Sequence, residues 1–542
     1  MRSGAMYGRP PETYPEALDR AEALWPDAEA FVMGGVRLNF AALARAVRET
    51  ASALVGLGVG KGDHVAICLG NGPEWVVLLH AVARVGGVAV PINTRLKGDE
   101  IAYQLAQSDA RFLFICDRFL KVDFISILRR ICPAVDATLP DPALPLLGTM
   151  VVLGEDVPDG AVGWERFRAK AGPCIAREVA PEDDALIQYT SGTTARPKGV
   201  LLTHRNMVVD AWHVADRMGM RPGDRYYSPR PFFHVAGTTL SILAALCGGA
   251  CLITTPRFDP GEVLRVLAEE RCTLISGNDT MLLMMLGHPD FPKYDYSLRG
   301  GWAAASPATM RRLAERFGAT ETVIAYGLSE ASPNCAMSRT DDPLEDRIAG
   351  LAWPQPGVGI RVVDPETGID RAADEPGEIL VRGWNVMKGY YNKPEETAKA
   401  LDAEGWLRTG DLGTLSPDGR LTFRGRLKEI IRVGGENLAP AEVEDCILSH
   451  PAVAQVQVIG VPDPRLVEVP AAYVVLREGE TLGAAEVIGW ARDRLAGFKV
   501  PRYVRFLDSF EGVGMTASGK VQRHRLQQVA LDDLGLRQQT AS

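Results

Sequence analysis

The chain has 542 residues, enough for more than one domain with a sizeable core each. Its 23% charged and 7% aromatic residues are ordinary for a globular protein, and a net charge of −9 without a basic stripe argues against a nucleic-acid partner. Nine cysteines with no C-x-x-C spacing argue against a metal cluster. Cys247 and Cys251, the closest pair, sit in an apolar run and are expected to be buried free thiols in a reducing, intracellular compartment.

The first six residues lack the apolar core of a signal peptide. Strand patterns at 64–69, 88–92 and 111–115 alternate with helical patterns at 74–84 and 98–108. The strands are almost wholly apolar, which predicts a parallel sheet covered on both faces. A segment rich in Pro, Asp and Gly at 133–160 reads as a loop. The alternation resumes with strands at 224–228, 250–254 and 273–276 and helices at 237–247 and 260–270. Residues 234–254 form the one candidate membrane span. Thr238, Thr239, Ser241 and the pair Gly248-Gly249 interrupt it, so a buried helix and strand are expected, with no integral membrane segment.

Between a strand ending at Tyr189 and one beginning near Val200 lies Tyr189-Thr-Ser-Gly-Thr-Thr-Ala-Arg-Pro-Lys198-Gly199. Glycines let backbone amides turn toward an anion, hydroxyls donate hydrogen bonds, and lysine adds a point charge. The loop therefore suits a polyphosphate. It is neither a Walker A loop, since Pro197 precedes Lys198 and Gly199 follows it, nor a dinucleotide-binding G-x-G-x-x-G.

Near residue 356 the pattern changes to strands at 359–364, 377–383 and 420–424 joined by turns. Beyond Gly425 a smaller α+β unit begins, with strands at 430–433, 454–460 and 471–476 and helices at 440–449 and 483–496. The expected division is 1–425 and 426–542. Polar, glycine-rich segments punctuate the chain: Pro231-Phe-Phe-His234 at a strand end, Tyr326-Gly-Leu-Ser-Glu330 after a strand, Trp406-Leu-Arg-Thr-Gly-Asp411 in a turn, Gly425-Arg-Leu-Lys-Glu429, Val433-Gly-Gly-Glu-Asn437 and Thr516-Ala-Ser-Gly-Lys520.

In this order and spacing, from about residue 20 to 530, these segments resemble the adenylate-forming superfamily of acyl-CoA synthetases, adenylation domains and luciferases. Gly300-Gly-Trp-Ala-Ala-Ala-Ser-Pro307 and Ala325-Tyr-Gly-Leu-Ser-Glu-Ala-Ser-Pro333 look most like medium-chain and related acyl-CoA synthetases. The resemblance implies an α/β fold. A large N-terminal domain of parallel-sheet subdomains and a distorted β-barrel would carry a small, mobile α+β C-terminal domain that turns about a hinge at Lys428. It implies ATP, Mg²⁺ and CoA as cofactors, a small carboxylic acid as substrate and a cytoplasmic enzyme, and leaves a homodimer open.

By the same resemblance, Thr190, Ser191, Gly192, Thr193, Thr194 and Lys198 would hold the β- and γ-phosphates. Glu330 would bind Mg²⁺, Ser329 would touch the α-phosphate, Tyr326 would stack on adenine and Asp411 would accept from both ribose hydroxyls. Arg426 would lie near ribose and phosphate, and Lys520 would bridge the substrate carboxylate and the α-phosphate. His234 would stand at the mouth of an acyl pocket whose walls near Trp212, Trp302 and Ala304 suggest an apolar tail. Its Phe-His-Val-Ala-Gly setting lacks the aspartate of α-amino-acid adenylation domains. Gly435 would let the pantetheine arm of CoA pass. The chain departs from the family pattern at Ala195 (usually Gly), Ser329 (Thr), Glu429 (Asp), Val467 (Gly) and Gly514 (Pro). An acyl-AMP ligase loading a carrier protein, and a non-catalytic nucleotide binder, are the rival readings.

Overall fold

The computed structural model describes residues 8–170, 178–190, 196–433, 436–515 and 521–536. Two large sheets organise the first four hundred residues. One has eight strands in the order Gly389–Tyr390, Lys198–Thr203, Asp184–Thr190, Val88–Pro91, His64–Cys68, Phe112–Cys116, Thr149–Leu153 and Val162–Gly163. It is parallel from Asp184–Thr190 outward to Val162–Gly163 and antiparallel from Asp184–Thr190 through Lys198–Thr203 to Gly389–Tyr390. The other has nine strands, with Glu321–Gly327, Gly300–Ala304, Leu274–Asn278, Arg225–Tyr227 and Cys251–Ile253 parallel at its centre. Its far edge is the hairpin Glu29–Met33 and Val36–Asn39, which pairs with Cys251–Ile253 and which local periodicity does not announce.

Strand Thr149–Leu153 corrects the expectation of a loop over 133–160. Five residues between a glycine and a glycine are too few to show a period, and the strand exists because it pairs along all of Phe112–Cys116. The apolar run 234–254 is helix and strand, as expected, and among the described residues no helix is long and apolar enough to cross a membrane. Within that run, Thr238–Leu243 is wound as a π-helix, a form that recurs at functional sites.

The β-rich segment forms a four-stranded antiparallel sheet, Val358–Val363, Gly377–Gly383, Leu407–Leu415 and Leu421–Arg426. A separate C-terminal domain follows. Its five-stranded sheet carries helices Pro440–Leu448, Ala484–Arg492 and Arg523–Asp533. Two apolar cores of its own, around Val443, Val458 and Val474 and around Tyr473, Phe510 and Leu526, are distinct from the large N-terminal core. Helices Asp279–Leu286 and Pro307–Phe317 meet this domain: Leu283 and Ala308 pack on its core, and Arg312 donates to the Leu448 carbonyl at 2.8 Å.

Candidate active site

The hairpin Asp184–Thr190 and Lys198–Thr203 sets Thr190 directly opposite Lys198, so both ends of the loop between them are fixed by one ladder. Ser191, Gly192, Thr193, Thr194 and Ala195 lie outside the described residues, as do Gly435 and Lys520. After the hairpin, Thr203 and Asn206 form a capping box that starts helix His204–Arg217 and returns the chain to the core.

Lys198 comes together with Glu330 through a residue the sequence did not single out. Strand Gly389–Tyr390 pairs with Lys198–Thr203, placing the Tyr390 ring 4.1 Å beneath the Lys198 ammonium. The Tyr390 hydroxyl donates to Glu330 Oε1 at 2.9 Å. Burial and the Glu330 charge push the Tyr390 pKa far up, so the phenol stays protonated as a donor. Glu396 lies 3.6 Å from Lys198 and partly balances it.

Glu330 and Ser329 sit in the 3₁₀ turn Ser329–Ala331, held by donation from the Met387 amide to the Glu330 carbonyl at 2.9 Å. The turn follows strand Glu321–Gly327, which includes Tyr326 instead of ending before it. Gly327 is required there, because a Cβ would stand 1.7 Å from the Pro333 carbonyl oxygen.

Tyr326, Asp411 and Arg426 form a second cluster. The Tyr326 hydroxyl donates to Asp411 Oδ2 at 2.9 Å, and Arg426 Nε lies 2.9 Å from Asp411 Oδ1 as a close ion pair. Asp411 is only 1% exposed as a residue and faces Arg426 directly across the ladder. It lies within strand Leu407–Leu415, where a turn was expected, because Leu407 and Arg408 pair with Gly377–Gly383, the ladder bulges past the polar run, and Asp411 resumes pairing with Arg426. One face of Tyr326 stacks on Phe423, with centroids 5.4 Å apart.

His234 lies beyond a strand that already ends at Tyr227, so the expectation that its segment closes a strand is corrected. It caps the short helix Val235–Gly237, its Nδ1 accepting from the Ala236 amide at 3.1 Å, which makes Nε2 the protonated nitrogen. Trp302 is buried and donates to the Tyr226 hydroxyl at 2.8 Å, whereas Trp212 is covered by the Arg20 guanidinium of the N-terminal helix.

No group of three or more His, Cys, Asp or Glu that could hold a metal ion occurs among the described residues. Glu330 alone suits Mg²⁺ bound chiefly by phosphates and water, since that ion takes one or two protein carboxylates in such sites.

Sequence and shape comparisons give the family of the chain. The model of the AMP-binding enzyme family matches residues 18–391, and that of the AMP-binding enzyme C-terminal domain matches 442–520. The chain belongs to this adenylate-forming family. It is 37% identical over 531 residues to the 3-[(3aS,4S,7aS)-7a-methyl-1,5-dioxo-octahydro-1H-inden-4-yl]propanoyl:CoA ligase of Rhodococcus jostii (strain RHA1), covering 96% of this chain and 99% of that one. It is 32% identical over 538 residues to the mitochondrial medium-chain acyl-CoA ligase ACSF2 of Mus musculus, covering 95% and 87%. The crystal structure of the anthranilate CoA ligase AuaEII in complex with anthranoyl-AMP superposes with a TM-score of 0.87 at 26% identity, covering 99% of this chain and all of the other. The protein is thus an enzyme of the AMP-forming acid–thiol ligase class.

Outside the two clusters, Arg523 opens the helix that follows the Lys520 segment. It makes a bidentate pair with Glu444 at 2.8 Å and stands 3.5 Å from Glu429, the neighbour of Lys428. Val467 adopts φ +71°. Gly514 adopts φ +109°, which proline's ring forbids, so the backbone here matches the residue present.

Proposed function

We propose that the protein joins a fatty or related, largely apolar carboxylic acid to CoA in two half-reactions. A carboxylate oxygen attacks the α-phosphorus of ATP, pyrophosphate leaves, and the acyl-adenylate forms. The CoA sulfur then attacks the acyl carbon, and AMP leaves with the bond electrons. A carboxylate is a poor acyl donor because its oxygen leaves badly, and adenylation exchanges that oxygen for a phosphate ester.

The observation that carries this reading is the pairing of Asp411 with Tyr326 and Arg426 beside the Lys198–Tyr390–Glu330 group. Asp411 is the acceptor assigned to the ribose, Tyr326 the platform for adenine, and Arg426 the cation between ribose and phosphate. Ser329 is assigned to the α-phosphate. Thr190 and Lys198 flank the loop assigned to the β- and γ-phosphates, with Ser191, Gly192, Thr193 and Thr194 completing it. Mg²⁺ on Glu330 would offset charge on the transferring phosphates. His234 would border the acid's carboxylate. Lys520 would neutralise the same carboxylate and α-phosphate during adenylation, and Gly435 would admit the pantetheine arm after the domain beyond residue 425 turns about Lys428.

The substrates in the relatives' names, a dioxo-hydrindane propanoate, medium-chain acids and anthranilate, support a broad carboxylic-acid class. The eight described cysteines are all free, which supports a reducing, cytoplasmic setting. The test is a panel of acids with ATP and Mg²⁺, with and without CoA. Acyl-CoA and AMP in equal amounts bear the reading out. Pyrophosphate release without acyl-CoA transfers it to carrier-protein loading, and no pyrophosphate with any acid refutes it.

A further inference from the structure

The segment that ends at His234 begins with a buried cation. Arg230 is 4% exposed, and its guanidinium carbon lies 4.7 Å from the centroid of the Trp302 ring. Its backbone is fixed by Asn71, whose amide donates to the Arg230 carbonyl at 3.0 Å and accepts from the Phe232 amide at 2.8 Å. Two of its nitrogens, Nε and Nη2, are buried with no acceptor.

Those two N–H groups form one edge of the guanidinium, the edge that grips two oxygen lone pairs side by side. The polar groups around it are already engaged. Trp302 donates to Tyr226, Tyr226 donates to the Leu240 carbonyl at 3.0 Å, the Ser228 and Ser241 hydroxyls bond each other at 2.7 Å, and Ser276 donates to Ser228 at 3.2 Å. Burial pushes the Arg230 pKa down to about 10, with Tyr226 opposing that shift, so the group is still cationic at neutral pH. A buried cation with two unanswered N–H groups over the Trp302 ring costs stability, and a ligand that supplies the missing acceptor would offset that cost.

We propose that Arg230 forms the far end of the acyl pocket and selects acids carrying a second oxygen acceptor, a ketone or carboxylate remote from the reacting carboxylate, gripped by Nε and Nη2. This rests on the acid-ligase reading above and on His234 bordering the pocket mouth. The pocket is then apolar along its wall at Trp302 and polar at one point, so a purely hydrocarbon tail leaves the guanidinium unanswered.

The test compares unbranched acids of equal length ending in a methyl group, a methyl ketone or a second carboxylate, together with cyclohexylpropanoate and oxocyclohexylpropanoate. Pyrophosphate release gives kcat/KM for each in the wild type, Arg230→Met and Arg230→Lys, and melting temperatures are recorded with each acid. The wild type should favour an oxygen-bearing acid over its hydrocarbon match by at least ~10²-fold, since sites built for a hydrogen bond reject analogues lacking the partner by up to ~10⁴–10⁵. Arg230→Met should bring that ratio close to one while melting no lower than the wild type, and Arg230→Lys should fall between. Preference for the ketone over the diacid, or the reverse, identifies which oxygen group is held. Equal slowing of every acid, or a lower melting point with the ratio intact, makes Arg230 a structural residue and overturns the proposal. If no acid releases pyrophosphate, the ligase reading fails, and the melting shifts still decide: an oxygen-bearing acid that stabilises the wild type no more than its hydrocarbon match overturns the proposal too.

Discussion

The Tyr390 hydroxyl donates to Glu330 while its ring face carries the Lys198 ammonium, so one side chain couples the carboxylate assigned to Mg²⁺ with the lysine assigned to phosphate. Phenylalanine at this position keeps the ring and deletes only the donation. Tyr390→Phe is therefore expected to raise the Mg²⁺ concentration for half-maximal pyrophosphate release about tenfold, the usual effect of losing a partner that orients a metal ligand. The KM for the acid should not move. An unchanged Mg²⁺ dependence would mean that the hydrogen bond does not orient Glu330.

Gly327 gives a steric counterpart. A Cβ there would meet the Pro333 carbonyl at 1.7 Å, a backbone atom that cannot swing aside. Gly327→Ala must push apart the strand bearing Tyr326 and the turn bearing Glu330. Loss of adenylation by at least ~10²-fold with the overall fold retained by circular dichroism is the expected result, since small misplacements at a site have that scale. Near-normal turnover would show that the turn tolerates displacement.

Arg523 ties the helix after Lys520 to Glu444 and Glu429. Removing it alone would strand a buried Glu444, whose carboxyl burial already pushes upward, so the informative variant replaces both by methionine. Glu444→Met with Arg523→Met should keep the domain stable yet slow acid adenylation roughly tenfold, a magnitude set by analogy with lost second partners. Thioester formation from supplied acyl-adenylate should hardly change. Equal slowing of both half-reactions would point to a general packing role.

These arrangements differ in how far the sequence announces them. The phosphate loop, the Tyr326–Glu330 run and Asp411 are local motifs with local chemistry, and the alternation of strands and helices through residue 276 follows from hydrophobic period. What escaped is set by partners far along the chain. Tyr390 meets Glu330 across sixty positions. Strand Thr149–Leu153 exists by pairing with Phe112–Cys116. Arg230 looks like a surface residue until the sheet behind it brings Trp302 and Tyr226 to its side. The π-helix at Thr238–Leu243 has no compositional mark.

Val467, where the resemblance to the family leads one to expect glycine, has a left-handed φ of +71°. A β-branched residue there is strained by roughly 1–3 kcal/mol, and the residue is 67% exposed, so little packing offsets the cost. Val467→Gly gives back roughly 0.5–1 kcal/mol of chain entropy. A net gain of about 1 kcal/mol is expected, seen as a rise in melting temperature of a few degrees. A lower melting point would show that neighbouring contacts hold Val467 without strain.

The meeting of the two domains is expected to depend on pH through Asp445. Burial, then the charges of Asp279 and Glu444, push its carboxyl up to about 7, with a Ser306 hydroxyl opposing the shift and Glu442 adding to it. Asp279 is itself held by the Ser306 amide and hydroxyl, both at 2.9 Å. Asp445 is thus protonated in this arrangement up to about pH 7, but ionises in the ordinary carboxylate range once exposed. The exposed form therefore binds fewer protons between about pH 4 and 7, and the arrangement loses stability as pH rises through that window, then keeps a constant penalty above it. Asp445→Asn removes the ionisation and keeps the size. Its melting temperature should match the wild type near pH 4 and exceed it increasingly up to pH 7, with a constant gap beyond. Parallel pH profiles for the two proteins would show that Asp445 is not held in a shifted state.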